Sequence, residues 1–153
     1  MLLWRLSTRQ HAASFDGGYG LLFGGRWNTV GHPVTYCATS PSLCVLEKLV
    51  HIEDPELLPE LVMITYDSPD SIGIDTIGLA ELPDDWRRRE SWTQQKGDDW
   101  HHSRSSPLLM VPSAIIPLPD SPDVNVMVSH THPACAAITV RSMVPLILDP
   151  RLL

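Results

Sequence analysis

The sequence predicts an α+β or mixed α/β domain, spanning residues 1–153 as one unit and built on a twisted sheet. Two observations carry that prediction. Several short runs of β-forming and apolar residues are interleaved with one clear helix and one irregular helical region. The length of 153 residues is ordinary for one domain and sufficient to bury a core.

Taken in order, Leu2, Trp4 and Leu6 alternate enough to suggest a first strand over residues 1–7, with Arg5 facing away from Leu6. Residues 8–23, with Ser14, Asp16, Gly17, Gly18 and Gly20, read as a flexible loop able to approach a ligand or a partner. Gly24 and Gly25 precede Arg26-Trp27-Asn28, and Gly31-His32-Pro33 makes a second break, so Arg26 lies between two turns. Pro33–Thr39, with Val34, Thr35 and Tyr36, reads as a strand that ends at a helix start. There Ser40 suits the N-cap, Pro41 suits the first helical position, and Leu43, Leu46 and Val50 recur at helical spacing. Pro55 and Pro59 stop helical continuation, Leu61–Tyr66 reads as a buried strand, and residues 68–75 are turn-like. Asp84 or Asp85 suits the cap of a further helix. The polar stretch 86–106 contains Gly97 and so predicts two short helices or one broken one. Leu108–Ile116 is a continuous apolar strand interrupted at Pro112-Ser113, which demands a bulge or an edge. Val124–Ser129, Ala136–Val140 and Val144–Leu148 read as the remaining strands.

Single residues leave their roles open. At 100° per residue Glu47 falls at the margin of the Leu43/Leu46/Val50 face, as an ordinary boundary residue or as a carboxylate aimed into a cleft. Arg26 alone reads as a surface arginine, Tyr36 as a core or edge-strand aromatic, and Ser113 as a turn residue after proline. Arg5 is a rival candidate for an anion-binding arginine. Arg87–Arg89 read as a solvated face or a docking patch for an acidic partner. His101 and His102 are adjacent, a poor spacing for two ligands on one helix face, and no metal is expected there.

The net charge of −7 and a pI near 5.3 argue against a direct nucleic-acid partner, since such modules concentrate Lys and Arg on one face. No apolar run is long enough for a membrane span and no signal peptide opens the chain, so a cytoplasmic location is expected. Cys37, Cys44 and Cys135 are odd in number and lack metal spacing, and are read as reduced, packed thiols.

The stretch from Gly24 to His51, GGRWNTVGHPVTYCATSPSLCVLEKLVH, closely resembles the signature of the RES domain. That family is the toxin half of a bacterial toxin–antitoxin pair and is named for an Arg, a Glu and a Ser. LLWRLS, SSPLLMVPSAIIP, NVMVSHTHP and LILDPRLL resemble further blocks of the family in the right order, so the resemblance covers nearly the whole chain. It implies an ADP-ribosyltransferase-like fold, with a bent, split sheet and a cleft for NAD. No Gly-x-Gly-x-x-Gly run opens a helix, so NAD is expected as a substrate and no cofactor is expected.

The chemistry so implied is scission of the nicotinamide–ribose bond. As nicotinamide leaves, the ribose gains oxocarbenium character that a fixed carboxylate stabilises, the role given to Glu47. Arg26 offers a planar fork for pyrophosphate or ribose oxygens. Tyr36 stacks its ring on nicotinamide or donates its hydroxyl in the same pocket. Arg26, Tyr36 and Glu47 form the expected catalytic set. Trp27, Ser113 and Asn125 join the substrate-binding set, with Ser113 bonding substrate or orienting Glu47. Where many family members carry Asn-Pro in the late block, this chain has Ser129-His130, a shorter side chain less able to hold a loop or substrate. His130 and His132 are read as structural.

The expected function is a toxin that consumes NAD, as an NAD glycohydrolase with water as acceptor or as a phosphorolytic NADase. The alternatives are a mono-ADP-ribosyltransferase acting on a cellular protein and a catalytically inactive binding module. The residues named act before the acceptor attacks and do not choose among acceptors. The resemblance also implies an Xre-like helix-turn-helix antitoxin that blocks the cleft, and it leaves a homodimer open.

Overall fold

The computed structural model describes residues 1–153. Its strands are β1 (Leu2–Thr8), β2 (Val34–Ala38), β3 (Leu61–Asp67), β4 (Ile74–Thr76), β5 (Leu108–Pro112), β6 (Val124–Ser129) and β7 (Thr139–Leu146). They form one seven-stranded sheet in the order β4-β5-β6-β2-β1-β3-β7, antiparallel except for the β4–β5 pair. Three helices accompany it: α1 (Gly18–Phe23), α2 (Pro41–Leu49) and α3 (Glu90–Ser103). The class is α+β, as the sequence predicts.

The sheet is split. β1 pairs with β3 along its whole length, whereas it meets β2 through a single residue pair, Trp4 opposite Ala38. α2 closes this seam on one face, with Leu43 and Cys44 packed against Ala38, Trp4, Leu6 and Met63. The helix forms there because Ser40 Oγ accepts from the Leu43 amide at 3.2 Å and Pro41 occupies the first turn. Such a cap is worth about 1 kcal/mol, and full burial of a leucine such as Leu43 about 1.5–3 kcal/mol, so packing decides where α2 sits.

The continuous apolar runs in β5 and β6 follow from burial on both faces. Leu108, Val126 and Val128 point into a core with Leu3, Ile64 and Tyr66. Their neighbours Leu109, Val111 and Met127 point the other way, to Trp27, Trp86 and Trp100. α3 contributes Trp100 to that second core.

Four expectations need correction. Residues 8–23 are not simply a loop, because Gly18–Phe23 is helical. The glycines there serve close packing: a Cβ on Gly20 would lie 2.5 Å from Val34 O, and Gly17 takes φ +72°. The region after Asp85 contains one unbroken helix, α3, whose N-terminal flank is Arg89, and neither Asp84 nor Asp85 caps it. Gly97 sits inside α3 because a Cβ would fall 1.6 Å from Trp27 O. Residues 68–75 contain the start of a strand, since Ile74–Thr76 pairs in parallel with Leu108–Met110. Finally, the last two predicted strands are one, β7, preceded by a 3-10 turn over Pro133–Ala137. No helix is long and apolar enough to cross a membrane.

Candidate active site

Alternation along β2 sends Val34, Tyr36 and Ala38 to one face of the sheet, the face that α2 and α3 cover. Ala38 lies opposite Asn125 and Tyr36 opposite Met127, so Asn125 shares that face. There it meets Glu47 from α2. Asn125 Nδ2 donates to Glu47 Oε1 at 2.8 Å, and Ser113 Oγ donates to the same oxygen at 3.2 Å. Ser113 is 0 % exposed, and its Oγ accepts from the Ile115 and Ile116 amides at 3.0 and 3.3 Å. The break after Pro112 thus turns a hydroxyl onto Glu47. Of the two roles given to Ser113, orienting Glu47 is the one the geometry supports. Glu47 Oε2 has no protein partner.

Arg26 stands on a loop gripped by α3. Thr93 Oγ1 donates to Arg26 O at 2.6 Å, and Gln94 Nε2 donates to Gly25 O at 2.9 Å. Asp98 accepts from the Thr29 amide and hydroxyl at 3.0 and 2.7 Å. The Arg26 guanidinium makes one hydrogen bond, Nη1 to Arg87 O at 3.2 Å, and lies 6.0 Å from the Trp86 ring. Arg5, the rival, is fully engaged at its terminal nitrogens by Ser14 O, His11 O and Ala12 O at 2.8, 3.2 and 3.0 Å. Its fork ties down residues 11–14 and is not free for an anion.

Tyr36 and Trp27 lie behind this loop. The Tyr36 hydroxyl donates to Asn28 Oδ1 at 2.7 Å and accepts from the Trp27 amide at 3.0 Å. Both of its hydrogen-bonding directions are used internally, and burial holds the phenol well above its ordinary range. What remains to Tyr36 is its half-buried ring. Trp27 is 1 % exposed, its ring 6.1 Å from that of Trp86. Its indole therefore packs in the core and offers no surface to a substrate, which corrects its assignment to the substrate-binding set.

Sequence reasoning did not single out Asn28. It is wholly buried, donates to Gly20 O and Thr29 O at 3.0 Å each, and receives the Tyr36 hydroxyl. Only its position between two glycine breaks signals that role.

A cleft of about 710 Å³ opens beside these groups, lined by Arg26, Val50, Asp84, Asp85, Arg87, Arg88, Ala114 and Ile115. This lies within the roughly 300–1,000 Å³ range of small-molecule sites. Glu47 and Tyr36 are not among its lining residues. Glu47 adjoins it through Val50, one turn further along the same chain, and Ser113 through Ala114. The solvated arginines Arg87 and Arg88 thus face a cleft.

Ser129 lies at the opposite end of β6 from Asn125, roughly 13 Å away at strand rise. Its Oγ is 3.0 Å from His101 Nδ1, so it ties β6 to α3, remote from Glu47. His132 Nδ1 accepts from the Ala134 amide at 3.1 Å and caps a turn. His130 Nε2 lies 2.8 Å from Thr35 Oγ1 on the other face, its pKa lowered to about 4 chiefly by burial. Cys37 and Cys44 are free, buried thiols pushed up to about 12 by burial, unsuited to act as nucleophiles.

Comparison with known proteins shows what the chain is similar to. Toxin Res of Photorhabdus laumondii is 38% identical over 135 residues, covering 86% of each chain. The Prs ADP-ribosylating toxin of a Sphingobium species is 28% identical over 157 residues, covering 98% of this chain and 95% of that one. Among solved structures, the M. tuberculosis MbcT–MbcA toxin–antitoxin complex includes a chain with the same fold, at TM-score 0.75 and 19% identity, covering 95% of this chain and 83% of that one. The family model described as RES domain matches residues 2–149, and the chain belongs to the RES domain family.

Proposed function

We propose that this protein is the toxin of a toxin–antitoxin pair and that it breaks the nicotinamide–ribose bond of NAD. One observation carries the reading: Glu47 Oε1 is clamped by Ser113 and Asn125 while Oε2 has no protein partner. A carboxylate so held is oriented before substrate arrives, and its free oxygen suits a developing positive charge. The C1′–N bond breaks with its electron pair leaving on nicotinamide. The oxocarbenium ribose faces Glu47, and water or phosphate then attacks C1′. Arg26, with Arg87 and Arg88 on the same cleft, supplies positive charge for the pyrophosphate, moderated by Asp84 and Asp85. Tyr36 presents its ring to the nicotinamide end.

The names of the relatives support this reading, one as Toxin Res and another as an ADP-ribosylating toxin. The second name favours a different acceptor, with ADP-ribose transferred to a protein instead of water or phosphate. In either case the protein acts in the cytoplasm and is neutralised by an Xre-like antitoxin that covers the cleft.

The test is nicotinamide release from NAD by the purified chain, with and without phosphate, against Glu47→Gln shown to be folded. Release by the wild type alone supports scission at Glu47, and the sugar product separates water from phosphate as acceptor. Absence of release both from NAD alone and with cell lysate would sink the enzymatic reading and leave a binding module. Labelling of a lysate protein without free product would favour transfer.

A further inference from the structure

Away from Glu47, three imidazoles gather where the Gly31-His32-Pro33 turn meets the end of α3. His32 and His102 face each other with Nε2 atoms 3.1 Å apart, and the His101 ring centroid lies 5.2 Å from that of His32. The tautomer of His32 follows from its partner. Its Nδ1 is 2.9 Å from Thr29 O, and a carbonyl only accepts, so Nδ1 carries the hydrogen. In the neutral ring Nε2 is then a bare lone pair aimed at His102. Behind His32 stands the Asp98 carboxylate, 3.4 Å from Nδ1, with the two side chains only 13% and 11% exposed. A carbonyl and a carboxylate behind one ring nitrogen, with the other nitrogen open, is the environment that orients metal-bound imidazoles.

The spacing fits as well. Two zinc–nitrogen bonds of about 2.0–2.1 Å at a tetrahedral angle place their nitrogens about 3.3 Å apart. We propose that His32 and His102 form a binding site for a borderline divalent transition cation of the Zn²⁺ class, with their Nε2 atoms as ligands and water completing the shell. No group of three metal-binding side chains converges, so the site is an open, two-ligand one, weaker than a four-ligand structural site. His101 is not counted among the ligands, because no three metal-binding side chains converge here; its Nδ1 lies 3.0 Å from Ser129 Oγ.

In the metal-free protein one hydrogen lies between the two Nε2 atoms, and it belongs to His102, since His32 keeps its hydrogen on Nδ1. When the cation binds, that hydrogen moves to Nδ1 of the exposed His102 ring, so two neutral imidazoles ligate and no net proton is released. Bound metal ties the turn at His32, on the loop that carries Arg26, to α3. His101 and His102, adjacent on one helix, do not make the pair. The pair that forms joins residues 70 apart.

The experiment uses the full chain stripped of metal and titrated with Zn²⁺ above the imidazole range, by calorimetry and thermal melting. The variants are His102→Ala, His32→Gln and, as a control, the exposed His51→Ala. His102 is exposed, so its removal leaves the fold intact. The expected result is one zinc per wild-type chain with a rise in Tm. His102→Ala and His32→Gln should each weaken binding by roughly tenfold or more and abolish the rise, and His51→Ala should behave as wild type. No zinc binding by the wild type would overturn the proposal, as would equal binding by wild type and His102→Ala, which would show zinc held adventitiously elsewhere.

Discussion

Asn125 and Glu47, 78 residues apart in sequence, are joined by a 2.8 Å hydrogen bond from amide to carboxylate across the covered face of the sheet. Hydrogen bonds to charged groups contribute about 1.5–3 kcal/mol, and each 1.4 kcal/mol is about tenfold in rate. Asn125→Ala should therefore lower kcat/KM for nicotinamide release by roughly ten- to a hundredfold with little change in Tm, because Asn125 is only half-buried. Ser113→Ala should lower the rate too, and also Tm, since the Ile115 and Ile116 amides lose their acceptor. Parallel melting curves and rate measurements separate the two.

The two arginines should part in the same way. Arg5→Lys loses a fork that holds three carbonyls of residues 11–14, which a single ammonium cannot reproduce. Its Tm should fall while KM for NAD stays near wild type. Arg26→Lys should raise KM and leave Tm nearly unchanged. The reverse assignment of the two effects would show that the anion site lies at Arg5.

Gly97→Ala sets helix propensity against packing. In an exposed helix interior the change gains about 1 kcal/mol. Here the new methyl would stand 1.6 Å from Trp27 O, with backbone on both sides of the clash, and the strain of overpacking exceeds that gain. Chemical denaturation should show a loss of several kcal/mol, or no folded protein. A stabilised Gly97→Ala would mean that α3 does not press on the Arg26 loop.

Acid should weaken the fold through His130. Burial lowers its pKa to about 4, from the 6.5 of a free imidazole, with Asp16 opposing the shift and Arg5 adding to it. Between those values the unfolded chain holds a proton that the folded chain does not. The associated stability is thus complete above pH 6.5, declines as pH falls toward about 4 and declines no further below it. Melting wild type and His130→Gln across this window should show a shallower slope for the variant.

How much of this was legible in the sequence depended on how local the cause was. Ser40, Pro41 and the spacing of Leu43 set out α2, and Pro112-Ser113 marks the end of β5, because each signal lies within a few residues of its effect. Resemblance names Glu47, Ser113 and Asn125 and allows Ser113 to orient Glu47, but it gives no contact between Asn125 and Glu47, since that depends on the register of β6 against β2. Gly97 in a polar stretch predicts two short helices or one broken one; the helix is unbroken because that glycine makes room for the Trp27 carbonyl, from a loop 70 residues earlier, a requirement with no local trace. α1 was hidden by glycines that read as flexibility and act as clearance. β4 has three residues and is defined by pairing with β5. Trp27 stands beside Arg26 in the sequence and so joins the expected substrate-binding set, yet in space it packs in the core with Trp86 and Trp100.

The single Trp4–Ala38 pair has a mechanical consequence. A sheet resists splaying in proportion to its interstrand hydrogen bonds, and at this line there is almost no such resistance. The four strands on one side and the three on the other are therefore joined mainly by side chains: those of α2 on one face, and on the other the shared core in which Leu108, Val126 and Val128 meet Leu3, Ile64 and Tyr66. Amide exchange should find its low-energy opening here, before either set of strands unravels. Glu47 rides on α2, so the rigidity of its carboxylate is inherited from apolar contacts at Leu43 and Cys44 and only secondarily from the backbone ladder.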